Sequence, residues 1–487
     1  MRFTCAAIIC GLGLGPTAAI AQTMPAQSTP AQSPPAAAGP AETAKPADQD
    51  GAPGPLAASA DPQRPRPGAV PAPTGPLRSV GAALADRGVY LRAIMVDEFA
   101  GNVTGGQGRG ARNSFATAFG GDLDLDRILG DKGGQIHVTF NKSIGQSLAA
   151  SDTLNGVSFQ TRYKTFQNLR LAILAYDQDL LGGKVNVSAG RVSALSYFNA
   201  SPIYCNFQSN AVCFNPSVVA IGNRGLSFFP YGTWGGRVKI APSPRFYAEI
   251  GAFEANTALQ PTNGFNFSTR QGTGVQVPVE IGFQSATPAA RHAYHLRIGG
   301  YVNTSRYADP YLNTSRLPLI GNGGTALMHD DLHSWYVMGD VVLARPGPRR
   351  TVTLFGGTMD TVEDYATWKA QTLVGMVYTG PFASRPADTF GLVASFLRLG
   401  DQQVDFLTAA RRRAGGTDPV YRSEAILEAN YGIQLYRGVR LNPNIQYIVH
   451  PDNNLRPASR NRSGDILAFG TRLSVELGDV LGFPLKR

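Results

Sequence analysis

The residues that could do chemistry in this sequence are few, and the densest group combines histidines with carboxylates. His329 and His333 flank Asp330 and Asp331, a composition that could hold a metal ion. Ligation by two histidines four apart requires a helix, whereas this stretch lies in a predicted loop, so we interpret it as a solvated polar segment. The sequence contains no Gly-x-Ser-x-Gly, phosphate-loop or cysteine–histidine nucleophile motif. It therefore predicts no catalytic residue, no metal site and no cofactor, and it does not predict an enzyme.

The cysteines indicate the compartment. Cys5 and Cys10 lie in a short apolar stretch that ends at a small-x-small cleavage site, which predicts a signal peptide over residues 1–21. The isoleucines before Cys10 fit a lipoprotein signal poorly. Cleavage would leave Cys205 and Cys213, and in an oxidising compartment a pair eight residues apart favours one disulfide over a metal site. Two free buried thiols are a weaker alternative, because the intervening residues are polar.

Composition favours a membrane barrel for the rest of the chain. No apolar run beyond the signal peptide approaches the roughly 18 residues that a transmembrane helix needs. A closed β-barrel is the other fold that satisfies its backbone groups in lipid, and the charged fraction of 16% suits it. The net charge is +10, of which residues 1–21 carry +1 and residues 22–86 carry −1, so residues 87–487 hold +10. This excess predicts anionic lipid headgroups or a basic lumen rather than nucleic acid, with the run 411–413 at the headgroups.

The segments before and after the barrel have distinct compositions. Residues 22–76 are rich in alanine and proline, which predicts a disordered periplasmic segment because little apolar surface is available for burial. Residues 77–87 form an amphipathic piece that predicts a short helix closed by Gly88. The barrel is predicted over residues 88–477. Residues 478–487 are left as a C-terminal tail that lacks the terminal aromatic residue usual in such barrels.

From Val89 onward the hydrophobic period becomes two, which predicts sixteen strands. We place them at 88–98, 114–124, 134–144, 168–178, 183–192, 231–241, 245–254, 275–286, 291–303, 333–345, 350–360, 368–380, 387–398, 422–435, 438–450 and 464–477. A soluble sandwich would show the same alternation, but the connections alternate between long and short. Long outer loops with tight periplasmic turns are typical of an up-and-down barrel, whereas a Greek-key sandwich would not produce them. The predicted fold is therefore all-β, a 16-stranded antiparallel transmembrane β-barrel with a disordered N-terminal extension.

The candidate path for a solute follows from this arrangement. The longest connection, residues 193–230, carries the cysteine pair and many aromatics, and it either folds inward as a constriction or caps the mouth from outside. Its candidates are Tyr204 and Phe207. Polar strand faces supply the remaining lumen candidates: Arg237, Lys239, Glu280, Arg297, Asp340, Glu428, Arg440, Asn442, Asn444, Gln446 and Arg472. Amides and planar donors beside aromatics suit sugars, although charges of both signs line any water-filled barrel.

Over residues 78–477 the sequence resembles the bacterial carbohydrate-selective porins of the OprB family. The stretch Glu428–Asn453 is similar to the family's penultimate hairpin, and the segment from Cys205 to Cys213 is similar to its cysteine-bearing loop. This resemblance implies a sixteen-stranded barrel, monomeric or loosely associated as a homo-oligomer, that passes glucose-like sugars by diffusion. The expected partners are small sugars, outer-membrane lipid and lipopolysaccharide, and the barrel-assembly machinery, with no nucleic acid. A non-selective diffusion porin is the main alternative, and a surface-binding or enzymatic barrel is the second.

Overall fold

The computed structural model describes residues 75–201, 203–213, 217–347 and 349–484. The predicted signal peptide and nearly all of the predicted alanine- and proline-rich segment lie outside these ranges. Within them, no helix is long and apolar enough to cross a membrane.

Sixteen antiparallel strands form one closed barrel, in which each strand pairs with its neighbours in sequence and the last pairs with the first. The strands are β1 (Val89–Gly106), β2 (Ala111–Asp124), β3 (Gly134–Gly145), β4 (Arg170–Leu180), β5 (Val185–Val192), β6 (Thr233–Ser243), β7 (Phe246–Ala255), β8 (Gly274–Gln284), β9 (Tyr294–Asn313), β10 (Ala326–Gly347), β11 (Arg350–Thr361), β12 (Trp368–Thr379), β13 (Thr389–Leu399), β14 (Ser423–Tyr436), β15 (Val439–Val449) and β16 (Gly464–Glu476). The predicted fold class is confirmed.

The period of two decides which side chains enter the lumen. On β15, Asn444 and Gln446 are buried, whereas Ile445 and Tyr447 between and beyond them are exposed on the outer surface. Exposed apolar side chains alternate with buried polar ones because lipid contacts one face of the sheet and the lumen the other. A register slip of one residue would exchange the two faces, so the alternation holds the register.

Three strands are longer than predicted by seven residues or more. β1 continues to Gly106, and β9 and β10 extend so far that only residues 314–325 connect them, where the sequence pattern predicted a 29-residue loop. The added parts of β9 and β10 contain Asn, Thr, Arg and Asp rather than alternating apolar residues. The sequence pattern reveals a strand through the apolar residues that face lipid. It therefore misses the parts of a strand that extend beyond the bilayer.

In the described residues, six α-helices lie outside the sheet: α1 (Arg78–Asp86), α2 (Leu125–Leu129), α3 (Ser217–Gly222), α4 (Leu319–Asn322), α5 (Asp401–Arg413) and α6 (Leu477–Leu481). Helix α1 occupies the segment where a helix was expected, and α6 begins the segment expected to be a tail. The backbone N–H of Leu77 donates to the carbonyl of Leu481 at 2.9 Å, so the segments before β1 and after β16 touch.

Helix α5 corrects one expectation about charge. Arg411 is 1% exposed, and its guanidinium donates to the carbonyl of Ser459 and to the side-chain oxygen of Asn453 at 2.6 Å. It therefore joins α5 to the loop before β16 and does not reach lipid headgroups. Arg412 and Arg413 are exposed.

Candidate functional site

The longest connection folds into the barrel. We call residues 193–232 the disulfide loop, because Cys205 and Cys213 are bonded within it, as predicted, with their Cα atoms 4.1 Å apart. Many of its described apolar side chains, among them Phe198 and Leu195, are fully buried. Its backbone and side chains bond to lumen-facing residues of many strands. Of the two alternatives left by the sequence, inward folding is the one observed.

The tip of the disulfide loop is held by charged side chains of the wall. The carboxylate of Glu428 on β14 accepts the backbone N–H groups of Gln208 and Ser209, each at 2.8 Å. Arg472 on β16 donates to the carbonyl oxygens of Cys205 at 3.1 Å and Phe207 at 3.0 Å. Bonds between ionised groups and backbone dipoles are roughly twice as strong as neutral ones. The position of the tip therefore depends on these two side chains.

Neutral groups complete the attachment on the same side. Asn444 on β15 donates to the side-chain oxygen of Gln208 at 2.7 Å, and Gln371 on β12 accepts the backbone N–H of Val218 at 3.2 Å. We call the inner face of β11–β16 the anchoring wall. Its polar side chains satisfy the backbone of the loop, which would otherwise be buried without partners.

The two aromatic candidates of the loop lie between the loop and this wall. Tyr204 donates to the carbonyl of Gly356 at 3.0 Å, and the rings of Tyr204 and Phe207 lie 5.2 and 5.6 Å from that of Phe355 on β11. Tyr204 is 1% exposed and Phe207 is 0% exposed. In this structure both rings hold the loop against the wall and present no surface to a solute.

A second inward loop was missed in the sequence. Residues 146–169, the Phe159 loop, bond to the barrel wall where Glu98 on β1 accepts the hydroxyl of Thr161 at 2.7 Å and the N–H of Arg162 at 2.8 Å. Gln446 donates to the carbonyl of Phe159 at 3.1 Å, and Phe159 is fully buried. The apolar residues Leu148, Val157 and Phe159 could have indicated that this loop is buried. They follow no regular spacing, however, because most of the segment has no regular secondary structure.

On the opposite side of the barrel, the inner face of β5–β10 is built differently, and we call it the paired wall. Arg237 on β6 donates to the carboxylate of Glu249 on β7 at 2.7 Å, and its guanidinium lies 4.2 Å from the ring centre of Tyr197. The ammonium of Lys239 lies 4.1 Å from the ring centre of Tyr247. These cations are buried against carboxylates and aromatic faces, which compensates in part for their lost hydration.

Glu280 on β8 is a carboxylate of the paired wall that bonds to several separate elements. It accepts the hydroxyls of Tyr247 at 2.6 Å and Tyr336 at 2.7 Å, together with the backbone N–H of Asn199 from the disulfide loop at 3.0 Å. The Nε atom of Arg297 lies 4.0 Å from this carboxylate. Glu280 therefore joins the two tyrosines, the arginine and the loop at one point.

Asp340 and Arg440 lie nearer the ends of their strands at which short turns connect β10 to β11 and β14 to β15. Nδ1 of His295 on β9 is 2.9 Å from a carboxylate oxygen of Asp340 on β10. Arg440 on β15 donates to the hydroxyl of Thr389 at 3.1 Å and to the carbonyl of Ala387 at 2.9 Å. Asn442, the next lumen-facing residue on β15, is buried. All eleven wall candidates thus lie on the lumen face, but they fall into separate groups rather than one ring.

A buried charged group on β1–β4 was not predicted. Arg92 lies 3.0 Å from the carboxylate of Asp122, which is 2.6 Å from Nδ1 of His137. Nε2 of His137 is 3.4 Å from a carboxylate oxygen of Asp177. Each of the four strands contributes a single residue to this group, so the group becomes visible only when the strand register is known.

The histidines considered as metal ligands bind single carboxylates instead. His329 lies 2.9 Å from Asp309 and stacks on Tyr365, and His333 lies 2.8 Å from Glu363. Across the described parts of the chain, no group of three or more histidine, cysteine or acidic side chains could hold a metal ion.

Comparisons with known proteins place this geometry in context. The model of a family described as "Carbohydrate-selective porin, OprB family" matches residues 108–477. Porin B of Pseudomonas aeruginosa is 29% identical over 392 residues, covering 76% of this chain and 84% of that protein. A putative porin of Acinetobacter baylyi, QuiX, is 26% identical over 394 residues, covering 76% of this chain and 86% of its own length. The high-pH structure of Pseudomonas putida OprB superposes with a TM-score of 0.74 at 25% identity, covering 81% of this chain and 96% of that one. The resemblance stated from the sequence is confirmed.

Proposed function

We propose that this chain, which belongs to the OprB family of carbohydrate-selective porins, lets small glucose-like sugars diffuse across the outer membrane into the periplasm. The single observation that carries this proposal is that three buried arginines of the lumen are paired with carboxylates. Arg92 with Asp122, Arg237 with Glu249, and Arg472 with Glu98 lie at 3.0, 2.7 and 3.5 Å.

The pairing of each arginine with a carboxylate cancels most of the electric field that unpaired charges of one sign would create along the solute path. An ion that enters such a lumen loses hydration and gains little electrostatic compensation. A sugar is uncharged, and it can exchange its water for bonds to the guanidinium, carboxylate and amide groups of the wall. The lumen therefore favours neutral polyols over ions of either sign.

The constriction in this proposal lies between the disulfide loop and the paired wall. Glu280 and Arg297 face the loop there, and His295 and Asp340 follow toward the periplasm. Arg237 and Lys239 support this wall from behind their tyrosine partners. The anchoring residues Glu428, Asn444 and Arg472 act indirectly, by holding the loop that forms the other side of the path. The remaining candidates, Asn442, Gln446 and Arg440, line the lumen without a direct role in selection.

Liposome swelling with solutes of graded size tests the proposal. Reconstituted protein should admit arabinose and glucose faster than an amino acid or a salt of similar size, and sugar should reduce its ionic conductance in planar bilayers. Equal rates for sugars and for charged solutes of the same size would instead indicate the non-selective porin. Failure of every solute to enter would reject diffusion altogether.

The route of the chain to the membrane is part of the same proposal. A signal peptide over residues 1–21 would direct export, and the barrel-assembly machinery would insert the strands. Lipid and lipopolysaccharide would then surround the outer apolar face. N-terminal sequencing of the mature protein tests the first step, and an N-terminus other than Gln22 would contradict the assigned cleavage site.

A further inference from the structure

The turns at the periplasmic end of the barrel share a composition that diffusion of sugars does not explain. Seven turns connect strands at this end, and six of them carry a basic residue, which are Lys184, Arg245, Arg291, Arg349, Arg385 and Arg437. The only acidic residue in these six turns is Asp388. The seventh turn, between β2 and β3, carries two acidic and two basic residues and includes α2.

Two of the six basic residues have acidic partners. Arg385 binds Asp388 within its own turn, and Arg437 lies 3.7 Å from Asp479 of α6. The other four, Lys184, Arg245, Arg291 and Arg349, are exposed and form no ion pair with any described residue. Four cations thus stand on neighbouring turns, from β4–β5 around to β10–β11, without an ion pair to the described part of the chain.

Large apolar side chains lie beside these cations and are open to the surroundings. Leu181 is 76% exposed in the turn that holds Lys184, and Ile240 is 50% exposed near Arg245. Phe283 and Tyr294, at the ends of the strands that flank Arg291, are also exposed. Apolar and aromatic groups followed by a cation are typical of the boundary between the hydrocarbon and the headgroups of a bilayer.

We infer that this arc of turns, from β4–β5 to β10–β11, binds the phosphate groups of anionic glycerophospholipids in the periplasmic leaflet. The apolar side chains lie in the hydrocarbon, and the four cations reach the headgroup phosphates just beyond it. The positive charge of these side chains complements the negative charge of the phosphates. The four turns are neighbours along the outer circumference of the barrel, where lipid must contact it. Each basic side chain at an anionic surface is worth about fivefold in lipid partition.

The extracellular end supplies a matched contrast. Arg270, Arg412, Arg413 and Arg456 are exposed in extracellular loops, and they are equal in number to the four periplasmic cations. Arg412 and Arg413 lie in the last turn of α5 and the other two lie in loops, so none of the four is in a tight turn at a strand end. A variant in which these four become glutamine therefore makes the same change in net charge at a different place.

The test uses the full mature barrel in detergent micelles that contain equal amounts of phosphatidylglycerol and phosphatidylcholine, with native mass spectrometry to count the lipids retained. The wild-type barrel should retain phosphatidylglycerol several-fold over phosphatidylcholine. The variant K184Q/R245Q/R291Q/R349Q should lose most of that preference, and the extracellular variant R270Q/R412Q/R413Q/R456Q should keep it. The lysine variant R245K/R291K/R349K should also keep it, since charge rather than guanidinium geometry is required.

Equal losses in the two glutamine variants would attribute the preference to net charge and overturn the inference, as would a wild-type barrel that retains both lipids equally. Inorganic phosphate in the buffer should not displace the lipid; displacement would assign the site to free phosphate. Sugar swelling rates of the four-residue variant should match wild type, so the result is independent of the proposed diffusion function. Resistance of the folded barrel to unfolding in dodecyl sulfate at room temperature confirms that each variant is intact.

Discussion

On the paired wall, Arg237 and Glu249 bind each other, whereas on the anchoring wall Glu428 and Arg472 bind the backbone of the disulfide loop. Both walls use the same residue types, placed in the lumen by the same alternation along the strands. The difference lies in what each side chain meets. A carboxylate that pairs with a guanidinium sets the electrostatic potential along the solute path. A carboxylate that accepts backbone N–H groups fixes the position of the disulfide loop, which forms the other side of that path.

Breaking a pair on the paired wall should have the largest effect. In Glu249→Ala, Arg237 keeps its charge and its burial but loses its carboxylate, and breaking a buried pair costs about 3–5 kcal/mol of unfolding free energy. The pore should also become more selective for anions. Reversal potentials under a salt gradient measure this, and the shift should shrink as the Debye length falls from about 10 Å at 0.1 M to about 3 Å at 1 M salt.

The double variant R237Q/E249Q is the control for charge. It removes both members of the pair, so ion selectivity should return toward that of the wild type. A double variant as anion-selective as Glu249→Ala would mean that the pair does not set the field of the path.

Removing the Glu428 carboxylate, which anchors the loop tip, should have the second largest effect. Glu428→Ala leaves the N–H groups of Gln208 and Ser209 without their acceptor, and each buried unsatisfied group costs about 1–3 kcal/mol. The loop tip should move away from the wall, so single-channel conductance should change and become noisier. Asp340→Asn on the opposite wall is the control, because Asp340 bonds to His295 and not to the loop, so it should change the mean conductance without adding noise. Indistinguishable conductance traces for the two variants would remove the distinction between the walls.

Opening the disulfide should have a smaller effect. A loop of this length closed by one bond contributes about 2–3 kcal/mol by chain entropy. Because Glu428 and Arg472 still hold the tip, Cys205→Ser should lower thermal stability yet disturb conductance less than Glu428→Ala does. The double variant C205S/C213S should behave alike. Conductance changes larger than those of Glu428→Ala would assign the position of the loop to the covalent bond instead.

The smallest expected effect depends on pH. Asp452, in the loop between β15 and β16, accepts the N–H of Gly156 from the Phe159 loop at 2.7 Å, and its own N–H donates to Glu424 at 2.7 Å. Burial raises the pKa of Asp452 above its ordinary value. The folded loops therefore hold the proton more tightly than the unfolded chain, so their stability is complete at low pH and declines as the pH rises through the raised pKa.

Protease cleavage within the Phe159 loop, followed from acidic to alkaline pH, measures this decline. Cleavage should become faster as the pH rises in the wild type and should depend less on pH in Asp452→Asn. A wild-type loop that is cleaved faster in acid would show the opposite sign and contradict the assignment.

The strands could be predicted from the sequence because every second residue of a membrane strand faces lipid and must be apolar. β15 and β16 show this most clearly, and their predicted and observed bounds differ by one residue at each end or less. The extra lengths of β9 and β10 were missed because, beyond the bilayer, no solvent difference separates their faces. The physical signal was absent there.

The site was predictable as a set of lumen-facing residues but not as an arrangement. Glu428 and Glu280 look alike in sequence, since each is an acidic residue on a polar strand face. Glu428 accepts two backbone N–H groups of the loop, whereas Glu280 accepts two tyrosine hydroxyls and a single loop N–H, and only the loop path distinguishes them. Tyr204 and Phe207 show the same limit, because an aromatic in an inward loop can face the path or the wall. The path of an irregular segment depends on distant contacts that no local period records.

The hydrogen bond from Leu77 to Leu481 has a consequence for how the chain could be cut and rejoined. The two ends of the described barrel meet beneath the seam of β1 and β16, so a few added residues could link them covalently. The backbone would then be circular, and new N- and C-termini could be introduced in the exposed Leu181–Lys184 turn. A circularly permuted chain of this kind should reach the same closed barrel, with β1 and β16 joined like any other pair of neighbours.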